Sequence, residues 1–151
     1  MPVFRTGSEE ETIALGERLA RSLPRGATVL LIGNLGAGKT TLAKGIVKGL
    51  GAGQPEEVSS PTFTLIHEYG APPAVYHVDL YRIDSARDAA TLGLDDLFDS
   101  GAMVLVEWGE RFPELMPRDR IEIRLMAVRD DEREISVTES AAYPNQIQSA
   151  S

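Results

Sequence analysis

The sequence predicts an α/β fold in which helices flank a central mixed, largely parallel sheet that also contains antiparallel hairpins. Residues 27–32 (ATVLLI) and 102–106 (AMVLV) are unbroken apolar runs, a pattern typical of strands buried on both faces of a parallel sheet. Residues 39–50 repeat their apolar positions at helical spacing soon after the first run. A length of 151 residues fits one domain, which we place at residues 1–139.

The elements before residue 51 have clear start and stop signals. Ser8 and Glu11 match a capping box, the apolar stripe that follows predicts the first helix, and Pro24 ends it. The buried strand comes next, and a glycine-rich turn leads from it into the helix at residues 39–50. Strand, loop and helix therefore follow one another in the order used by parallel-sheet folds.

The second half of the chain alternates between apolar patterns and turn residues. Residues 140–151 show neither and are expected to form a flexible tail. The elements predicted between these regions are a β-hairpin at residues 62–69 and 75–80, a helix at 85–94, the buried strand at 102–106, and a terminal hairpin at 120–128 and 134–137.

The composition excludes several classes of protein. A formal net charge of -8 repels a polyanion, so we expect no autonomous binding of tRNA or DNA. Cysteine is absent, which rules out disulfides and thiolate metal sites. The first residues lack the layout of a signal peptide, and no apolar run approaches the roughly 18 residues of a membrane span. We therefore predict a cytoplasmic protein without a membrane partner.

The most specific motif lies at residues 33–40, where GNLGAGKT matches the P-loop pattern G-x-x-x-x-G-K-[ST]. Glycines permit a tight turn whose N–H groups face phosphate oxygens, and the dipole of the following helix attracts the same anion. Lys39 is expected to reach the β- and γ-phosphates, and the Thr40 hydroxyl to bind Mg²⁺. The predicted ligands are ATP and Mg²⁺. The predicted contacts here are Asn34, Leu35, Gly36, Ala37, Gly38, Lys39, Thr40 and Thr41.

Two carboxylates are candidates to complete this site. Asp79 ends one predicted strand and Glu107 ends another, and P-loop proteins need hard oxygen ligands for Mg²⁺ near the phosphates. The spacing alone does not divide the metal-binding and water-positioning roles between them. With Lys39, they form the predicted catalytic set.

Other chemistry-bearing residues are open to two interpretations. Ser60, Pro61 and Thr62 lie in a loop that fits either a switch sensing the γ-phosphate or ordinary turn chemistry. His67 and His77 lie in predicted strands without clustered ligands, which favours a structural role.

Two further side chains also remain ambiguous. Arg133 fits either a stabiliser of phosphoryl charge or a salt-bridged surface residue. Trp108 fits either a reporter of nucleotide state or simple packing at a strand end.

Four motifs together, in this order, resemble the TsaE family, formerly YjeE. They are residues 33–41 (GNLGAGKTT), 60–63 (SPTF), 77–82 (HVDLYR) and 106–108 (VEW), and the resemblance extends over nearly the whole chain. It implies a P-loop NTPase-like domain that binds and hydrolyses ATP, slowly when alone. Such a protein supports the threonylcarbamoyl modification of adenosine 37 in tRNA together with the TsaB and TsaD proteins. The tRNA would be reached only indirectly, through that complex.

The resemblance also assigns roles to individual residues. It implies that Thr40 and Glu107 bind Mg²⁺ and that Asp79 assists the metal or a water molecule. Arg133 would approach the nucleotide, although Arg129 lies near the same family position, and Thr6 would lie near the base. The implied switch consists of Ser60, Pro61 and Thr62.

The residues also admit two other functions. A P-loop equally supports a small-molecule kinase, but the chain offers little length for a lid over an acceptor. A regulatory nucleotide switch of the GTPase kind is the other alternative. The sequence contains no Asn-Lys-x-Asp segment for reading guanine.

Overall fold

The part of the chain that the computed structural model describes, residues 2–61 and 65–139, contains seven strands and four α-helices. The predicted tail at residues 140–151 lies outside these ranges. The strands are β1 (Val3–Thr6), β2 (Thr28–Ile32), β3 (Ile66–Tyr69), β4 (Val75–Asp79), β5 (Met103–Glu107), β6 (Ile121–Arg129) and β7 (Glu132–Glu139). The helices are α1 (Glu9–Ser22), α2 (Lys39–Gly49), α3 (Ala86–Ala90) and α4 (Leu94–Phe98).

All seven strands form one mixed sheet in the order β1-β7-β6-β2-β5-β4-β3. The four central strands, β6, β2, β5 and β4, are parallel, whereas β3, β7 and β1 pair with their neighbours in the antiparallel direction. The predicted α/β fold with a parallel centre and antiparallel hairpins is confirmed. The carboxyl ends of β2, β4 and β5 consequently lie side by side.

The core consists of one layer on each face of the sheet. Alternate residues of the central strands face opposite layers: Leu31 and Leu105 pack on the side of α1 and α2, and Leu30 and Val106 pack on the side of α3 and α4. Because both faces are covered, β2 is apolar after Thr28 and β5 is apolar up to Glu107, as the two apolar runs predicted. None of the helices in the described ranges is long and apolar enough to cross a membrane.

Helices α1 and α2 approach each other backbone to backbone. A Cβ atom at Gly45 would lie 2.0 Å from the carbonyl oxygen of Ile13, and one at Gly16 would lie 2.5 Å from that of Leu42. These distances are shorter than any carbon–oxygen contact that unstrained packing allows. Glycine is therefore required at this crossing for space.

The local predictions and the structure differ in three places. Strand β1 was not predicted, although Ser8 caps α1 as expected by accepting a hydrogen bond from the Glu11 N–H at 3.1 Å. The predicted helix at residues 85–94 ends early, because Gly93 takes a left-handed conformation (φ 73°) from which α4 starts. The first hairpin strand is described only from Ile66, since residues 62–64 lie outside the described ranges.

Candidate nucleotide-binding site

The glycine-rich turn between β2 and α2 has the backbone of a phosphate cradle. Gly36 and Gly38 have φ angles of 80° and 100°, which a residue with a side chain rarely adopts. The first intrahelical bond of α2 runs from Leu42 N–H to Gly38 O, and the N–H groups that open a helix have no acceptor within it. This end of α2 can therefore bind an anion.

Lys39 is held inside the turn. Its Nζ donates a hydrogen bond to the Gly33 carbonyl at 2.7 Å and lies 3.6 Å from the centroid of the Trp108 ring. Burial lowers the pKa of the Lys39 ammonium group, and the carboxylates of Glu107 and Glu110 oppose this effect. The strand-end tryptophan thus contacts the P-loop lysine directly, which its position in the sequence left open.

Glu107, the last residue of β5, connects two functional side chains. Its Oε2 accepts a hydrogen bond from the Thr40 hydroxyl at 3.2 Å and lies 2.6 Å from His77 Nε2. Glu107 and His77 are both buried. The hydroxyl and carboxylate predicted to bind Mg²⁺ are therefore in contact, and His77, for which the sequence favoured a structural role, contacts the same carboxylate.

Asp79, the last residue of β4, faces a different partner. Its Oδ2 accepts a hydrogen bond from the Ser60 hydroxyl at 2.9 Å, and its Oδ1 accepts one from the Tyr81 N–H at 2.9 Å. Pro61 is buried beside Ser60, and its carbonyl accepts the Leu65 N–H at 2.8 Å. Thr62, the third residue of the predicted switch, lies outside the described ranges. Asp79 is thus linked to the candidate switch and Glu107 to the P-loop helix.

Arg133, on β7, contacts the P-loop. Strand β7 lies on one side of β2 in the sheet, and β5 and β4, which carry Glu107 and Asp79, lie on the other. Its Nε donates to the Ala37 carbonyl at 3.0 Å, and its Nη2 donates to the Gly36 carbonyl at 3.1 Å. Arg129 instead forms an exposed ion pair with Glu132, at 2.9 Å. Of the two arginines considered from the sequence, only Arg133 contacts the P-loop through these bonds.

A cavity of about 430 Å³ opens between these groups. Thr6 does not line it: the Thr6 hydroxyl is buried and hydrogen-bonded, at 2.7 Å, to that of Thr12, which does. Asn34, Ala37 and Pro61 support the surrounding backbone without lining the cavity. The predicted residues that line it are Leu35, Gly36, Gly38, Lys39, Thr40, Thr41, Ser60, Asp79, Glu107 and Arg133, and Glu9, Thr12, Tyr81, Trp108 and Asp131 also contribute.

The site residues that were not predicted differ in how strongly the sequence indicated them. Glu9 and Thr12 occupy the first turn of a correctly predicted helix, but only the sheet order shows that this turn faces the P-loop. Tyr81 and His77 belong to the HVDLYR segment used for the resemblance, so their neighbourhood was marked although their contacts were not. Asp131 lies in the turn between β6 and β7, and the sequence alone did not indicate that this turn reaches the cavity. Glu110 does not line the cavity, but its charge acts on Lys39, and burial raises the pKa of its carboxyl group.

The sheet order, the phosphate cradle and the strand-end carboxylates define a P-loop NTPase-like protein. Comparison with known proteins makes this assignment more specific. The family described as "Threonylcarbamoyl adenosine biosynthesis protein TsaE" matches residues 6–135. The chain belongs to the TsaE family.

Individual relatives agree with this result over most of their length. The tRNA threonylcarbamoyladenosine biosynthesis protein TsaE of Bacillus subtilis is 42% identical over 89% of this chain and 84% of the relative. Its counterpart in Treponema pallidum is 38% identical over 86% of this chain and 95% of the relative. The crystal structure of Bacillus subtilis YdiB superposes with a TM-score of 0.76 at 36% identity, covering 95% of this chain and 89% of that one.

Proposed function

We propose that this chain is a cytoplasmic ATPase that supports threonylcarbamoyl modification of adenosine 37 in tRNA, acting with TsaB- and TsaD-type proteins. The observation that carries the proposal is the meeting of Lys39, Thr40, Asp79 and Glu107 around one cavity at the carboxyl ends of the parallel strands. The names of the relatives supply the pathway, and the geometry supports the type of reaction.

The phosphates would bind at the N-terminus of α2. Lys39 is already directed into the turn, and its ammonium group can exchange the Gly33 carbonyl for β- and γ-phosphate oxygens. The guanidinium of Arg133 donates hydrogen bonds to the Gly36 and Ala37 carbonyls. This contact favours the backbone conformation in which the N–H groups face inward, so the cradle is formed before the ligand arrives.

The donor set fits Mg²⁺. Thr40 and Glu107 present a hydroxyl and a carboxylate oxygen 3.2 Å apart, and Mg²⁺ usually takes one or two such protein ligands together with phosphate oxygens. The described residues contain no cluster of three or more His, Asp or Glu side chains that would hold a metal ion. When bound, Mg²⁺ would offset the charge that develops on the transferring phosphoryl group.

The contacts of Asp79 favour a role in orienting a water molecule over direct metal binding. It lines the cavity beside Glu107, its partner in the register between β4 and β5, but its hydrogen bonds go to Ser60 and to the Tyr81 backbone rather than to Thr40. Because Ser60 belongs to the candidate switch, a change at the γ-phosphate that moved Asp79 would also move this segment. Such a link is what coupling to a partner protein requires.

The partner proteins account for how an acidic protein acts on tRNA. The formal net charge of -8 opposes direct binding of this polyanion, so contact with tRNA is expected to be made by the other components. In this view ATP hydrolysis drives a conformational step in the complex.

Reconstitution tests the proposal. TsaB, TsaD, a threonylcarbamoyl donor and unmodified tRNA are combined with ATP, and modified tRNA is followed over many turnovers with and without this protein. We expect sustained turnover only when it is present, and loss of ATP hydrolysis by about a thousandfold with Lys39→Ala. Thermal unfolding of the variant serves as the control for its fold. Equal multiple-turnover modification without this protein would refute the proposed role.

A further inference from the structure

His77 is the most deeply buried polar side chain at the site, and the proposed mechanism has given it no role. Its exposed fraction is 0%, and its Nε2 lies 2.6 Å from Glu107 Oε2. An ionised carboxylate only accepts hydrogen bonds, so Nε2 carries the hydrogen and donates it. His77 Nδ1 has no hydrogen-bond partner among the described residues.

The parallel pairing of β4 and β5 fixes this contact. His77 lies opposite Leu105 and Asp79 lies opposite Glu107 in the register, and the side chains of His77 and Glu107 emerge on the α2 side of the sheet. Packing therefore leaves the imidazole little freedom to turn away. The buried imidazole is thus held with its Nε2 facing the Glu107 carboxylate.

Glu107 needs such an anchor to act on a metal ion. A glutamate side chain has three rotatable bonds, and holding it in one rotamer costs conformational entropy. Thr40 and His77 both contact Oε2, so together they fix the carboxylate while Oε1 takes part in neither contact. Thr40 would itself bind Mg²⁺, which leaves His77 as the contact that persists when the metal enters.

We propose that His77 is a positioning residue for the metal site: its Nε2–H holds Glu107 so that the carboxylate is preorganised to bind Mg²⁺ beside Thr40. The proposal rests on the nucleotide-binding function inferred above. It assigns the histidine to the affinity for Mg²⁺ rather than to the affinity for the nucleotide itself. Partners that orient a metal ligand in this way commonly change metal affinity by about 10- to 100-fold when removed.

Calorimetric titration with ADP separates the two affinities. Each protein is titrated with ADP in EDTA and again in excess Mg²⁺, and the ratio of the two dissociation constants measures the contribution of the metal. The variants are His77→Leu, which removes the donor, and His77→Gln, whose side-chain N–H₂ can replace Nε2–H. His67→Leu is the matched control, because His67 lies opposite His77 on β3 but hydrogen-bonds to Tyr69.

We expect His77→Leu to lose about tenfold or more of the Mg²⁺-dependent gain while its affinity in EDTA stays within about twofold of wild type. His77→Gln should recover most of the gain, and His67→Leu should match wild type. An unchanged gain in His77→Leu, or equal losses with and without Mg²⁺, would overturn the proposal. If wild type itself fails to bind ADP, the nucleotide-binding function fails and not the role of His77 alone.

A measurement on wild type keeps the proposal falsifiable if His77→Leu does not fold. The chain contains two histidines, so ¹⁵N spectra of the imidazole rings are readily assigned. His77 should show the Nε2–H tautomer with a hydrogen-bonded, slowly exchanging proton, and Glu107→Gln should shift this signal while leaving that of His67 in place. A hydrogen on Nδ1, or no response to Glu107→Gln, would rule out the anchoring contact.

Discussion

The two ends of helix α2 are built in opposite ways. Its first turn carries Lys39 and Thr40, whose polar atoms bond to groups that a ligand can replace. Its later turns carry Gly45 and Gly49, where a Cβ atom would lie 2.0 Å and 2.6 Å from carbonyl oxygens of α1. Helix α2 therefore has side-chain hydrogen bonds that a ligand can exchange at its N-terminal end, and a close backbone contact with α1 in its later turns.

This difference shows how a small domain can keep a site with exchangeable hydrogen bonds on a rigid support. Side-chain hydrogen bonds at the P-loop can be exchanged for phosphate oxygens without moving the helix axis. At Gly16, Gly45 and Gly49 the two helices meet through backbone atoms, so at these points the position of α2 is fixed by shape. Substitutions in the two regions should consequently affect different properties.

Gly45→Ala tests the rigid end and should have the largest effect on stability. The added methyl group meets the Ile13 carbonyl, so α1 and α2 must separate, and we expect the free energy of unfolding to fall by about 3 kcal/mol. Urea denaturation measures the change. Gly53→Ala is the matched control, since its nearest neighbour would lie at 3.4 Å, and it should change stability by less than about 1 kcal/mol. Equal effects of the two substitutions would show that the crossing is not tight.

Arg133→Ala tests the exchangeable end. Without the two bonds to the Gly36 and Ala37 carbonyls, the P-loop loses its preformed shape, and we expect the dissociation constant of ADP in EDTA to rise about tenfold. Isothermal titration measures it. Arg129→Ala removes only an exposed ion pair and should change neither affinity nor stability appreciably. A larger loss of affinity with Arg129→Ala would reverse the assignment of the two arginines.

Glu110→Gln should have the smallest effect. It tests how much a half-buried carboxylate near Lys39 lowers the free energy of unfolding. Burial raises the pKa of the Glu110 carboxyl group, so its contribution to stability is present below the ordinary pKa and is lost as pH rises through the raised value. The glutamine variant should therefore be more stable than wild type at pH 7.5, by about 0.5 kcal/mol, and equal to it near pH 4. Urea denaturation at both pH values checks the sign. A variant less stable at pH 7.5 would contradict it.

Much of the fold could be predicted because its signals are local. The apolar run of β2, the glycines of the turn and the stripe of α2 lie within about 25 consecutive residues, and Ser8 marks the start of α1 unambiguously. Strand β1 was not predicted because its four residues are too few to show a periodic pattern of apolar and polar side chains. The break between α3 and α4 at Gly93 was not predicted, because a single left-handed residue does not interrupt the apolar pattern of the sequence.

The sequence motifs identified residues of the site but could not predict the contacts between them. Spacing placed Asp79 and Glu107 at strand ends but not which of them would contact Thr40, because that depends on the order of strands in the sheet. The partner of His77 was hidden for the same reason: Glu107 is 30 residues away along the chain. The chemical roles of these side chains stay predictions until the variants are measured.

Strand β1 has a consequence for how the protein is made. Its partner in the sheet is β7, from the opposite end of the described chain, and Thr6 pairs there with Arg133. On the ribosome, β1 emerges before the other described elements, and its pairing with β7 can form only after nearly all of them have been made. The parallel pairs that β5 forms with β2 and with β4 can assemble earlier. Until β7 is released, the nascent chain therefore lacks the bonds from Arg133 to the Gly36 and Ala37 carbonyls.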